Sequence, residues 1–201
     1  MRQPVKRLHA APPCRDPRHH AASHPTHHRG AEFDAIDAGN DDGVWWTYPK
    51  GQRSFTADAY TGAEESIEAV ESALVDGGFC GLVGFSQGAI LGSIIAARAA
   101  LGEGVSGLRF AVLCSGAVPK PYAPTLDRLR AAGGGGSVRT LHCLSAVDAM
   151  NPPEQGEALA AAFGPSAEVL WHDGGHAMPP PGEALKRTAE FLDRAYADGG
   201  G

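Results

Sequence analysis

The stretch FCGLVGFSQGAILGSIIAARAAL, at residues 79–101, decides the fold. Its first part, 79–85, is a short apolar run containing Val and Phe, which predicts a buried strand. Its second part, 87–101, is apolar on nearly every side, as expected of a helix that packs against a sheet. A single residue, Ser86, separates the two parts, so the chain is predicted to pass from strand to helix in one tight turn.

The residues around this serine, Gly84 to Gly88, match the pattern G-x-S-x-G. A sharp strand-to-helix turn strains the serine backbone, and the two glycines leave room for it. The turn lifts the Ser86 hydroxyl clear of the sheet, where it can act as a nucleophile. The following helix presents N–H groups to a developing oxyanion, and the backbone N–H of Gln87 is the expected donor. The alternative is an ordinary tight turn with a surface serine.

The rest of the chain alternates strand-like and helix-like segments. Further strands are predicted at 33–38, 108–114, 138–144 and 167–171, and further helices at 126–132, 153–163 and 182–196. Thr61 and Glu64 form a capping-box pattern for an earlier helix that runs to about Asp76. Strands alternating with helices of this length indicate an α/β fold, a mostly parallel sheet with helices on both faces.

The composition changes near residue 31. Residues 1–31 contain six basic residues against one acid, four early prolines and six histidines, and we expect a disordered tail there. Residues 32–198 are predicted to form one domain, since 201 residues that are 43% hydrophobic suffice for one core. The histidines could bind a metal loosely, but a solvated tail is the simpler interpretation. We predict no metal site and no cofactor.

Charge and hydropathy restrict the partners. A net charge of −6 attracts neither phosphate backbones nor anionic lipid, and no apolar stretch is long enough to span a membrane. A small neutral or apolar substrate is expected instead, and nothing indicates an oligomeric state. Cys80, Cys114 and Cys143 lie in apolar runs and are predicted to be free buried thiols, which favours the cytoplasm. The alternative is an organelle reached through the basic N-terminal segment.

A serine nucleophile needs a histidine base within hydrogen-bond reach. His176 follows the last predicted strand after two glycines, whose loop can bring the ring over the strand ends. His172 is the competing candidate, but it adjoins the strand and is expected to face solvent or the sheet edge. His142 lies within a strand and is predicted to be a core or face residue. His176 is therefore the preferred base.

The base needs a carboxylate that orients it. Asp148 follows the strand 138–144, at the carboxyl end of a strand, where open α/β sheets place their sites. Asp173 is too close in sequence to His176 to be the first choice. The chain order Ser86, Asp148, His176 is the order that α/β-hydrolases use. The alternative is that Asp148 caps a helix or lies solvated in a loop.

Several of these motifs together resemble one known family. The motifs are GFSQGA at 84–89, Leu141-His142 with Asp148 and Pro152 beyond, Gly174-Gly175-His176 with Pro179, the Trp45-Trp46 pair, and Ser115-Gly116. This combination resembles the family of fungal serine hydrolases and the ovarian-cancer-associated 2 protein. The resemblance implies an α/β-hydrolase fold, a Ser-Asp-His catalytic triad, and carboxylesterase or thioesterase activity on small acyl or alkyl esters. Acyl-protein thioesterases share the string Gly-Phe-Ser-Gln-Gly, but the Trp pair and the Gly-Gly-His ending favour the first family.

The N-terminus departs from this family pattern. Family members begin with an apolar strand and a His-Gly loop that supplies the second oxyanion N–H, ahead of the strand that corresponds to 33–38. Residues 5–10 are a faint echo of that start, and Ala-Pro-Pro follows at 11–13 in place of a helix. We therefore expect the N-terminal strands to be truncated or replaced. The alternative to a serine hydrolase is a non-catalytic α/β-hydrolase-like binding protein or an incomplete fragment.

The loop after residue 43 is a candidate substrate contact. Trp45 and Trp46 could line an acyl pocket, since loops at strand ends carry specificity. Such aromatic pairs also anchor their own loop by burying area, which is the alternative. Met178, two residues beyond His176, is a third candidate contact.

Overall fold

The computed structural model describes residues 8–11, 34–36 and 43–197. The strands and helices, in chain order, are β1 (Leu8–Ala11), β2 (Asp34–Ile36), α1 (Ala63–Asp76), β3 (Gly81–Phe85), α2 (Gln87–Ala100), β4 (Phe110–Cys114), α3 (Ala123–Ala131), β5 (Arg139–Ser145), α4 (Pro153–Phe163), β6 (Ala167–His172) and α5 (Glu183–Ala197). Two short 3-10 helices, Lys120–Tyr122 and Gly164–Ser166, precede α3 and β6. The predicted elements are confirmed to within a few residues of their bounds.

The strands form one sheet in the order β2-β1-β3-β4-β5-β6. The four strands β3 to β6 are parallel, which confirms the predicted mostly parallel α/β sheet. In the register, Phe85 pairs with Cys114, and Cys114 pairs with Cys143. The residues that follow β3, β4, β5 and β6 therefore meet along one edge of the sheet, where open α/β folds place their sites.

Strand β1 corrects the expectation of a disordered tail at Leu8–Ala11. These four residues lie between β2 and β3 and pair antiparallel with both. Leu8, Ala10 and Ala11 are fully buried. Residues 5–10 are only a faint echo of the family's first strand, and four residues give no readable periodicity, so the pairing with β2 and β3 is what establishes the strand. The predicted domain start at residue 32 omits it, and the rest of that tail lies outside the described residues.

The direction of β1 bears on the expected truncation. Ala11 pairs with Gly81 and Leu8 with Gly84, so the carboxyl end of β1 lies beside the start of β3. Ser86 follows the other end of β3, so an oxyanion loop would have to lie at the opposite edge of the sheet from the carboxyl end of β1. Strands β1 and β2 are short, and β1 runs antiparallel to both of its neighbours. This agrees with the expectation that the N-terminal strands are truncated or replaced.

The core lies on both faces of the sheet. On one face α2 is buried from Gln87 to Ala97 and packs with α1, α3 and α4. On the other face Phe191 of α5 packs edge-on against Phe110 of β4, with ring centroids 6.4 Å apart. Helix α1 begins at Ala63 after a left-handed Gly62, so Thr61 does not cap it and the predicted capping box is wrong.

The cysteines divide into two kinds. Cys114 and Cys143 are buried and free, as predicted, whereas Cys80 is disulfide-bonded, so the prediction of a free thiol is wrong for it. A disulfide weakens the argument for a reducing compartment, and the cytoplasmic location stays a prediction. Within 8–11, 34–36 and 43–197, no helix is long and apolar enough to cross a membrane.

Candidate active site

The turn between β3 and α2 holds Ser86 in a strained conformation. Its backbone has φ 53° and ψ −116°, a region that side-chain-bearing residues rarely adopt. Its N–H donates to the carbonyl oxygen of Cys114 at 2.9 Å, and its own carbonyl accepts from Ile90 at 3.1 Å. A Cβ atom on Gly84 would overlap the main chain of Gly88. Glycine is therefore required there, as the pattern predicts, and the serine hydroxyl projects from the carboxyl edge of the sheet.

His176 lies over that edge and contacts both neighbours. Its Nε2 atom is 2.9 Å from the hydroxyl oxygen of Ser86. Its Nδ1 atom is 2.9 Å and 3.1 Å from the two carboxylate oxygens of Asp148. Because a carboxylate only accepts, Nδ1 carries the proton and Nε2 is left to accept the hydroxyl proton of Ser86. The Phe85 ring packs against the imidazole with centroids 5.0 Å apart.

Asp148 is held as an ionised acceptor. Its side chain is 2% exposed, and its Oδ1 atom accepts hydrogen bonds from the main-chain N–H groups of Met150 at 2.8 Å and Asn151 at 2.9 Å. Burial raises the pKa of the carboxyl group, but the hydrogen bonds from Asn151, His176 and Met150 outweigh it, and the pKa is lowered. The Asn151 side chain also donates to the carbonyl oxygen of Ser115 at 2.7 Å, which ties this loop to β4.

The two other candidate histidines lie elsewhere. His142 is 1% exposed within β5, its Nε2 lies 3.0 Å from the Thr140 hydroxyl, and burial lowers its pKa to about 3. His172 ends β6, and its Nδ1 atom accepts from the N–H of Gly174 at 3.1 Å. Burial lowers the pKa of His172 as well. The structure therefore brings His176, and neither competitor, to Ser86.

The tryptophan pair is buried beneath its loop. Trp45 and Trp46 are each 3% exposed, and the Trp46 ring stacks on Tyr60 at a centroid distance of 4.8 Å. Burial of both indoles favours the loop-anchoring alternative over direct substrate contact. Met178, by contrast, is 44% exposed next to the histidine loop.

A contact that sequence reasoning missed joins this loop to the nucleophile turn. The N–H of Trp45 donates to the side-chain Oε1 of Gln87, and the Gln87 Nε2 donates to the carbonyl oxygen of Trp46, both at 3.0 Å. The residues are more than forty positions apart, and no local sequence pattern signals such a pairing. The described part of the chain contains no group of three or more His, Cys, Asp or Glu residues that could hold a metal ion.

A strand-elbow-helix unit on a mostly parallel sheet, with a histidine and a carboxylate at the strand ends, defines the class of α/β-hydrolases. The family described as serine hydrolase (FSH1) matches residues 3–187 of the chain. The chain belongs to this serine hydrolase family, which confirms the resemblance drawn from the sequence motifs.

Relatives that carry names support the membership of this family. Esterase OVCA2 of Danio rerio is 36% identical over 157 residues, which are 75% of this chain and 67% of that protein. Esterase CG5412 of Drosophila melanogaster is 38% identical over 158 residues, 77% of this chain and 52% of that protein. The chain thus spans between about half and two thirds of the length of these two relatives.

Solved structures of other proteins superpose on the fold of this chain. Zea mays acyl-protein thioesterase 2 superposes with a TM-score of 0.59 at 19% identity, over 76% of this chain and 72% of that one. A Bacillus cereus carboxylesterase superposes with a TM-score of 0.56 at 15% identity, over 82% of this chain and 76% of that one. At these identities the likeness concerns the fold alone, and it confirms the predicted α/β-hydrolase architecture.

Proposed function

We propose that this chain hydrolyses carboxylic ester or thioester bonds through an acyl-serine intermediate, with Ser86, His176 and Asp148 as its catalytic triad. The observation that carries the proposal is the unbroken row of hydrogen bonds from the Ser86 hydroxyl through the imidazole to the Asp148 carboxylate. Membership of a serine hydrolase family and relatives named esterases support the same chemistry. The proposed substrates are small acyl or alkyl esters and thioesters.

Acylation begins with attack of the Ser86 oxygen on the substrate carbonyl carbon. His176 takes the hydroxyl proton at Nε2, and the Asp148 carboxylate holds the Nδ1 proton and stabilises the imidazolium that forms. The tetrahedral oxyanion accepts a hydrogen bond from the backbone N–H of Gln87 at the start of α2. The carbonyl then re-forms, the bond to the alcohol or thiol breaks, and the leaving group takes the proton from Nε2.

Deacylation repeats these steps with water. His176 Nε2 removes a proton from a water molecule, whose oxygen attacks the acyl-serine carbonyl, and the Ser86 oxygen leaves with the proton. The lowered pKa of Asp148 supports this scheme, because the carboxylate stays ionised throughout. Apart from the substrate and water, each step uses only side chains and main-chain groups of this chain. Met178, exposed two residues beyond the base, is the proposed contact for the acyl portion.

Labelling with a fluorophosphonate tests the proposal directly, because the probe reacts only with an activated serine. Wild-type protein is compared with Ser86→Ala and with Ser93→Ala, which removes a fully buried serine hydroxyl inside α2. We expect one adduct, found at Ser86 by mass spectrometry, retained in Ser93→Ala and lost in Ser86→Ala. The same proteins are then assayed with a nitrophenyl ester and an acyl thioester. A folded wild-type protein that takes no label would exclude the hydrolase and leave a binding protein.

A further inference from the structure

One buried hydroxyl joins the two loops that carry the proposed base and acid. Ser145, the last residue of β5, is 1% exposed. Its Oγ atom accepts a hydrogen bond from the N–H of Gly175 at 3.1 Å and a longer one from the N–H of Val147 at 3.4 Å. Gly175 directly precedes His176 in the chain, and Val147 directly precedes Asp148. The hydroxyl therefore contacts each loop one residue before its functional side chain.

We propose that Ser145 is a positioning residue that sets the distance between Asp148 and His176, an inference that rests on the proposed function. The Ser145–Gly175 hydrogen bond joins residues 145–152 directly to residues 173–182, beside the His176–Asp148 contacts. A second, indirect link runs through Ser115, whose carbonyl oxygen accepts from Asn151 and whose hydroxyl donates to the Ala177 oxygen at a longer 3.4 Å. Without it, the end of the β5–β6 pairing, the longer Ser115 link and the His176–Asp148 contacts would be left to set the separation of the two loops.

The histidine loop needs such a restraint. Its two glycines, Gly174 and Gly175, leave the backbone free to move, and Gly175 has a φ of 69°, in the left-handed region that glycine tolerates. A displacement of about 1 Å in a catalytic group can lower a rate on the order of 100-fold. The hydrogen bond to the N–H of Gly175, the residue before His176, limits this motion and so keeps Nδ1 of His176 at its distance from Asp148.

The chain offers a matched control for the loss of a buried hydroxyl. Ser93 is fully buried in α2, and its hydroxyl donates to the Ile90 carbonyl oxygen of the same helix at 2.7 Å. Ser93→Ala and Ser145→Ala delete the same oxygen from equally buried sites. Only Ser145 contacts the catalytic loops, so a difference between the two variants isolates positioning from general stability.

The test measures kcat and KM on one ester substrate for the wild type, Ser145→Ala, Ser145→Thr and Ser93→Ala, after thermal unfolding has shown which variants fold. We expect Ser145→Ala to lower kcat by roughly 10- to 100-fold with KM changed by no more than about threefold, because the loss concerns the reacting geometry. Ser145→Thr keeps the hydroxyl and should recover most of kcat. Ser93→Ala should keep wild-type kcat.

A proton NMR resonance provides a second readout, which would stay unchanged if Ser145 had a merely structural role. The Nδ1 proton that His176 shares with Asp148 is followed in each variant, and we expect its resonance to broaden or vanish in Ser145→Ala but not in Ser93→Ala. If Ser145→Ala does not fold, Ser145→Cys, close in size but a weak acceptor, takes its place. A folded variant with wild-type kcat and an intact resonance would overturn the proposal. If the wild type itself proves inactive, the proposed function fails, and the resonance still tests Ser145.

Discussion

The side-chain amide of Gln87 donates a hydrogen bond to the main-chain oxygen of Trp46 at 3.0 Å. Its carbonyl oxygen accepts one from the N–H of Trp45, also at 3.0 Å. Gln87 is 5% exposed, so a single buried amide satisfies two main-chain groups of a distant loop. The backbone N–H of the same residue is the proposed oxyanion donor. The tryptophan loop and the first turn of α2 are therefore held together as one unit.

Replacing Gln87 with Met should loosen this unit. The side chains are similar in size, but Met leaves the N–H of Trp45 and the oxygen of Trp46 unpaired. An unsatisfied buried group costs about 1–3 kcal/mol, so we expect a loss of stability in that range or above it and a red shift of tryptophan emission. Urea unfolding and fluorescence measure both. Gln155→Met, on the half-buried face of α4, is the control. Equal stability of the two variants would contradict the role of the Gln87 amide.

Gly84→Ala should distort the nucleophile turn. Its Cβ atom would overlap the main chain of Gly88, which cannot yield as a flexible side chain would. Overpacking of this kind costs about 1–3 kcal/mol, and we expect Ser86 labelling to slow at least tenfold as the turn shifts. Gly116→Ala is the matched control, since its Cβ atom would meet a Leu159 methyl group at 3.3 Å and the Ala89 Cβ atom at 3.5 Å. The hypothesis fails if Gly84→Ala labels at the wild-type rate.

Asp148→Asn should distinguish the effect of the site's geometry on reactivity from the effect of its charge. The amide keeps the shape of the carboxylate but removes the charge that holds the Nδ1 proton of His176. In a comparable triad the same change lowers kcat on the order of 10⁴-fold, and we expect a loss of 10³-fold or more in the labelling rate. Asp173 is an exposed aspartate three residues before the base, and Asp173→Asn should keep the wild-type labelling rate. Comparable losses in the two variants would remove Asp148 from the proposed triad.

His142 should make the stability of the protein depend on pH. Burial lowers its pKa to about 3 in the folded state, whereas an unfolded histidine titrates near 6.5. Between these values the unfolded chain binds one more proton, so stability falls as the pH falls, by about 1.4 kcal/mol for each unit. His142→Gln lacks this titration and should show a smaller slope in urea unfolding at pH 7, 6 and 5, with the difference approaching that amount only between pH 6 and 5, where the unfolded histidine is largely protonated. Asp148 titrates in both proteins, so its contribution cancels; parallel slopes would refute the assignment.

Much of the fold follows from local sequence patterns. The helix 153–163 was predicted at its observed bounds, and the strand-serine-helix unit around Ser86 was predicted to within two residues. These elements have strong apolar runs and clear ends, so neighbouring residues alone specify them. The sequence predicts that Asp148 and His176 lie close together because both follow parallel strands, and parallel strands end at one edge of the sheet.

Other features depend on residues far apart in the chain. Strand β1 is recognisable only by its pairing with β2 and β3, because four residues carry too little pattern. Thr61 has the right spacing to cap α1, but it pairs instead with Thr47, and the helix starts after Gly62. Cys80 resembles Cys114 in sequence context, yet only Cys80 is in a disulfide. In each case a long-range contact outweighs the local preference.

The sequence by itself determined the α/β class, the serine at the turn, and the histidine and carboxylate that accompany it, because secondary-structure periodicity and the order of parallel strands are encoded locally. Only the tertiary structure decided which groups hold that site in place. The Gln87 amide acts across more than forty residues and the Ser145 hydroxyl across thirty. Buried hydrogen bonds of this kind need exact distances in three dimensions, and such distances leave no periodic trace in a linear chain.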